Sequence, residues 1–112
     1  MIHEMNLNNG PYNKIDSGIK TVELRLYDEK RQLLKVNDYI EFTNRKDKRK
    51  LIALIEDLKV YKNFDELYKD YDKVSMGYDE KDVANPDDMK QYYPDSEQDK
   101  YGVIAIKIKK IA

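Results

Sequence analysis

A chain of 112 residues with 21 basic and 22 acidic side chains, a net charge of −1 and no cysteine excludes several function classes at once. Its bulk charge does not attract nucleic acid, and no thiol is present to hold a metal, attack a substrate or staple the fold. The length suits one compact domain over residues 1–112, and neither a signal core nor a membrane-length apolar run stands out, so the expected location is cytoplasmic.

In chain order, Ile2, Met5 and Leu7 predict a short opening strand. Asn8-Asn9-Gly10-Pro11 reads as a turn, and Pro11 to Ser17 as a short helix stopped by Gly18. Next, Val22, Leu24 and Leu26 alternate with Thr21, Glu23 and Arg25. A strand sends alternate side chains to opposite faces, so one face is apolar and the other carries a hydroxyl, a carboxylate and a guanidinium. Lys20 enters directly ahead of that face. Asp28 to Lys35 is polar, with Leu33 and Leu34 dipping inward. Val36-Asn37-Asp38 reads as a tight turn because Asn tolerates the left-handed conformation.

Tyr39 to Phe42 alternates as a strand, and Arg45 to Lys50 is a charge run. A solvated hairpin loop is its ordinary use; phosphate contact by Arg45, Lys46, Lys48 and Arg49 is the functional alternative. Leu51 to Tyr61 predicts a long strand with Ile52, Leu54, Leu58 and Val60 in phase and Glu56 breaking the pattern. Phe64, Leu67, Tyr68 and Tyr71 mark one face of a helix, with Asn63 as its cap. Asn85-Pro86-Asp87-Asp88 opens another helix that would carry Met89, Tyr92 and Tyr93 before Pro94 stops it. Tyr101 to Ile108 closes the chain as a strand with Ile104, Ile106 and Ile108 on its buried side. The fold class is therefore α+β: a small mixed barrel of five to six strands, with a short helix after the first and a helical insert before the last.

Charge is unevenly laid out. Residues 63–99 hold 12 acids against 4 bases, so the rest of the chain is basic. The basic body can present a cationic face to an anion while the acidic segment limits indiscriminate binding or meets a protein partner. If Lys20, Thr21, Glu23 and Arg25 line a cleft, Arg25 offers a planar fork for phosphate or carboxylate. Lys20 offers a point charge or a base, and Glu23 an acceptor for an exocyclic amine or a base toward water. Tyr27, Tyr78, Tyr92, Tyr93 and Tyr101 are the rings available for stacking on a nucleobase. His3 stands without a second His or a Cys, so neither a metal site nor a cofactor is expected.

The helix ending in Gly18, then Lys20-Thr21-Val22-Glu23-Leu24-Arg25, then Val36-Asn37-Asp38-Tyr39-Ile40-Glu41-Phe42, then Tyr101-Gly102-Val103-Ile104-Ala105-Ile106, together resemble the ASCH domain family. That resemblance implies a PUA-like β-barrel and a cleft, lined by the lysine-to-arginine strand, that takes RNA or nucleotides. It also implies a second activity found in a small bacterial branch, which removes acyl groups from the exocyclic amine of cytidine. There a strand lysine, a hydroxyl three positions later and a glutamate of the insert do the work. Lys20 matches the lysine, Glu23 stands where the hydroxyl would be, and Asp79 or Glu80 are the positions nearest the insert glutamate. Asn37 replaces the glycine usual before Asp38. The readings carried forward are an RNA- or nucleotide-binding module, a metal-free amidohydrolase using Lys20 and Glu23, and an interaction domain acting through residues 63–99.

Overall fold

The computed structural model describes Met1–Ala112. Five strands, β1 (Ile2–Leu7), β2 (Val22–Leu26), β3 (Tyr39–Asn44), β4 (Lys50–Tyr61) and β5 (Val103–Lys110), form one sheet in the order β1-β3-β4-β5-β2. β1 runs parallel to β3 and the other pairings are antiparallel, so the sheet is mixed. It curls into a half-barrel of the PUA-like type. Its two edges, β1 and β2, are joined by a side chain rather than a ladder: Arg25 Nη2 donates to the Asn6 carbonyl at 2.9 Å.

The helix α1 (Asn9–Asp16) joins those edges. It begins earlier than the turn residues suggested: Asn8 is its extended N-cap, and Asn9-Gly10-Pro11 form the first turn. Proline is acceptable there because first-turn amides have no intrahelical partner. At the other end Gly18, at φ +82°, terminates the helix. Asn37, at φ +76°, takes the left-handed turn expected of it. In the polar segment a 3-10 turn (Arg31–Leu33) buries Leu34 and leaves Leu33 in solvent.

The β3–β4 hairpin carries the charge run at its tip. In β4 the buried phase is Leu51, Ala53 and Ile55, not Ile52 and Leu54, which are half-buried on the other face. Glu56 is a bulge: the register shifts between Ile55 and Asp57, and the extra residue exchanges the faces of the strand. Leu58 beyond it therefore points to the same core as Ile55, whereas Val60 is exposed.

Two apolar cores flank the sheet. One gathers Met5, Ile15, Phe42, Ile55, Ile104 and Ile106 inside the curl. The other packs Val22, Leu24, Val103 and Ala105 against Phe64, Leu67 and Met76 of the insert. β5 is thus buried on both faces, not only through its three isoleucines.

The insert is less helical than its pattern promised. α2 (Phe64–Leu67) is a single turn, capped by the Asn63 side chain accepting from the Glu66 amide at 3.0 Å. Pro86–Gln91 is a 3-10 turn in which Asn85 accepts from the Asp87 amide at 2.9 Å. Pro94 is the N-cap of a further helix, α3 (Asp95–Tyr101), and does not end structure. Tyr101 belongs to that helix, so the last strand starts at Val103.

Candidate functional site

The turn after α1 swings Lys20 off the helix end, where its amide donates to the Lys14 carbonyl at 3.0 Å. The following amides, Thr21 and Val22, both donate to the Ser75 carbonyl at 3.0 Å, which docks the insert on the start of β2. From Val22 onward the strand alternates, and its polar face is buried rather than solvated. Glu23 is 3% exposed.

Its carboxylate is the centre of an ion triad. Glu23 Oε1 meets Lys20 Nζ at 2.9 Å and the Leu24 amide at 3.2 Å. Oε2 accepts from Arg25 Nε at 3.0 Å and Nη2 at 2.9 Å. These four contacts use the roughly four acceptor positions a carboxylate has. Burial is the largest influence on Glu23 and would raise its pKa. The Lys20 and Arg25 charges and hydrogen bonds outweigh it and bring the group down to about 2. Burial in turn works against the Arg25 cation, but the Glu23 charge and the neighbouring Tyr93 phenol prevail, and its pKa is raised.

Over the triad lies Gly77 of the insert, at φ +108°. A Cβ there would stand 3.0 Å from Lys20 Cδ, so a bare backbone lets the lysine stem pass beneath it. Lys14 ties this loop to α1, donating to the Gly77 carbonyl at 2.6 Å and to Asp79 Oδ1 at 2.8 Å. One residue on, the Tyr78 hydroxyl meets Tyr68 at 2.9 Å, Asp88 Oδ2 at 2.7 Å and the Asn85 carbonyl at 3.2 Å. Burial first, then the hydrogen bonds to Tyr68 and Asp88, raise the Tyr78 phenol far above its ordinary range.

These groups border a cleft of about 450 Å³ between α1, β2 and the insert. Lys20, Glu23 and Arg25 line it, flanked by Tyr68, Tyr78, Tyr92 and Tyr93 and by Met76 and Met89. Lys14, Asn8 and Arg45 belong to the same lining, with Arg45 Nη1 donating to Asn8 Oδ1 at 3.1 Å.

Not all the residues singled out in the sequence meet there. Thr21 precedes the regular strand and is outside the lining, although alternation alone put it beside Glu23. Tyr101 is elsewhere, donating to Glu29 at 3.0 Å, and Tyr27 packs against the core. Of the charge run only Arg45 reaches the cleft; Lys46 and Lys48 are exposed at the hairpin tip, and Arg49 is held by Asp47 at 2.7 Å over the Tyr12 ring. No glutamate of the insert lines the cleft: Asp79 is bound to Lys14 and Glu80 faces solvent, while the one insert carboxylate present is Asp88. His3 pairs with Asp38 at 2.8 Å, and no group of three or more His, Asp or Glu could hold a metal ion. Lys14, Met76, Asp88 and Met89 were not singled out as ligand contacts. Met76 and Asp88 lie more than 50 residues from Lys20 in sequence, and only the docking of the insert brings them to it.

No curated protein matches the chain. Among solved structures, hypothetical protein PH0355 is 31% identical over 99% of this chain and 100% of its own, with a TM-score of 0.84. Protein PF0455 from Pyrococcus furiosus is 30% identical over 99% and 98%, with a TM-score of 0.71. An ASCH protein from Zymomonas mobilis shares the fold at 18% identity, covering 98% of this chain and 70% of that one, with a TM-score of 0.72. No helix is long and apolar enough to cross a membrane. The ASCH domain model matches residues 5–112, nearly the whole chain, and the protein belongs to the ASCH domain family.

Proposed function

We propose that the protein binds a nucleotide unit, free or within single-stranded RNA, in the cleft at the Lys20–Arg25 strand. The composition of that cleft carries the reading. Its volume of about 450 Å³ falls in the range of small-molecule sites, and apolar and tyrosine walls suit a flat ring. A base lies between the walls; Lys14, in the last turn of α1, and Arg45, directly after β3, take the phosphate. Because those cations are more accessible than the triad, phosphate contact is screened by salt while base contact is not.

Arg45→Ala tests the arrangement by titration calorimetry. It should weaken binding of a nucleoside monophosphate several-fold, lower the salt slope by about one and leave the phosphate-free nucleoside unchanged. An equal loss for both ligands would remove Arg45 from the phosphate and sink this placement.

A metal-free amidohydrolase acting on an N-acylated cytidine-type nucleoside is the second reading, favoured by the buried Lys20–Glu23 contact at 2.9 Å. It ranks lower because a carboxylate with a pKa of about 2 takes a proton from water poorly. Release of acetate from N-acetylated cytidine, abolished by Lys20→Ala, would reverse the order. The interaction-domain reading ranks third. Several acids of the segment are already engaged within the fold, Asp70 with Lys59, Asp79 with Lys14, and Asp87 and Asp95 with Lys90.

A further inference from the structure

The polarity of the cleft floor specifies which base edge it takes. Of the two carboxylates that line the cleft, Asp88 lies on the insert beside the Tyr78 hydroxyl, and Glu23, on β2, has its four acceptor positions filled by Lys20, Leu24 and Arg25. The donors around it are not used up. Lys20 Nζ carries three hydrogens and gives one to Glu23. Arg25 commits Nε and Nη2 to Glu23 and Asn6, and the remaining polar neighbour of its guanidinium is the Tyr93 phenol of the cleft wall. Arg25 and Tyr93 both line the cleft, so an acceptor on a ligand there competes with a single phenol for the guanidinium. Lys20 and Arg25 are about nine-tenths buried, so these donors are desolvated and directional. The triad thus offers N–H groups and a net positive charge, and its own carboxylate has no acceptor position left.

Such a floor complements an edge with two adjacent acceptors and repels an edge that places an amine there. We propose that the base taken is a 6-oxopurine, with guanine O6 and N7 facing Lys20 and Arg25. Adenine has N7 but puts the N6 amine where O6 would be, setting donor against donor and leaving buried donors without a partner. A phosphate also carries acceptors, yet the tyrosines and methionines beside the floor give it no counterpart, and the accessible Lys14 and Arg45 give it a better place.

This inference rests on the nucleotide reading, and the ligands themselves separate the two without altering the protein. Titration calorimetry is run with GMP, IMP, AMP, 7-deazaguanosine monophosphate and inorganic phosphate. GMP and IMP should bind alike, because inosine keeps O6 and N7 and lacks only the 2-amine. AMP and the 7-deaza analogue should each bind about 10-fold more weakly. Equal affinity for all four nucleotides overturns the choice of base and leaves nucleotide binding standing. Phosphate binding as tightly as GMP makes the floor an anion site and overturns the proposal. Silence with every ligand overturns both readings.

Discussion

Glu23 is where sequence and chemistry meet most tightly. Alternation along Val22 to Leu26 put it on a polar face opposite an apolar one, and that much was legible. What spacing could not give was burial: a charged strand face is ordinarily solvated, and only the insert lying over Lys20 makes this one interior. Two outcomes follow at this scale. The folded carboxyl, near 2, lies below its ordinary value of 4.5, so its contribution to stability is complete above that ordinary value and lost as pH falls toward 2. The shift corresponds to about 3 kcal/mol, read as an acid limb in chemical denaturation at stepped pH. Glu23→Gln should remove that limb and, by leaving two cations together, cost about 3 kcal/mol near neutral pH. An unchanged unfolding midpoint would mean that the triad is not closed in solution.

Gly77 supplies the companion case. Its φ of +108° and the 3.0 Å approach to Lys20 Cδ both disfavour a side chain. Gly77→Ala should cost about 1–2 kcal/mol and, by shifting Lys20, weaken ligand binding several-fold. Lost binding with an intact fold identifies a positioning residue, while unchanged affinity would separate the loop from the site.

At the scale of elements, strands were easier to read than helices. Period-two alternation marked β2, β3 and β5, and the break at Glu56 coincides with the bulge. Alternation did not decide which face of β4 is buried, because Leu51, Ala53 and Ile55 are as apolar as Ile52 and Leu54. In the insert, Pro94 was read as a stop although proline is equally at home where a helix begins, and the acids Asp95 and Glu97 in the first turn were the signal for α3. The helical pattern from Phe64 to Tyr71 yielded one turn, since its rings pack against β2 and β5 rather than extend a helix. β5 joins the two cores. Ile106 is fully buried and registers with both Leu58 of β4 and Glu23 of β2. Ile106→Ala should destabilise the fold by about 3 kcal/mol in urea, more than any substitution at exposed Val60. A cost below about 1 kcal/mol would contradict the central place given to this strand.

For the whole molecule, a mixed five-stranded sheet was within reach of the sequence, but its order was not. That order depends on the last strand entering between β4 and β2, a pairing between the ends of the chain. The cleft depends on it too: α1 and β2 supply the cations, the hairpin supplies Arg45, and the insert supplies the tyrosine wall. The uneven charge of the chain then has a spatial reading. Basic side chains from the body converge where an insert of opposite charge folds over them, and Lys14–Asp79 is one direct link.

The most direct test of nucleotide binding in this cleft is an amide NMR titration at low salt with GMP and, separately, a short guanine-containing single-stranded RNA. Shifts should centre on Lys20 to Arg25, Gly77 and Tyr78, extend to Tyr92 and Tyr93, and leave Tyr101 and Lys48 in place. With RNA the same set should move, and the shifts should fade as salt rises. Shifts confined to the Lys46–Arg49 tip, or no shifts at the β2 strand with either ligand, would contradict the assignment of this cleft.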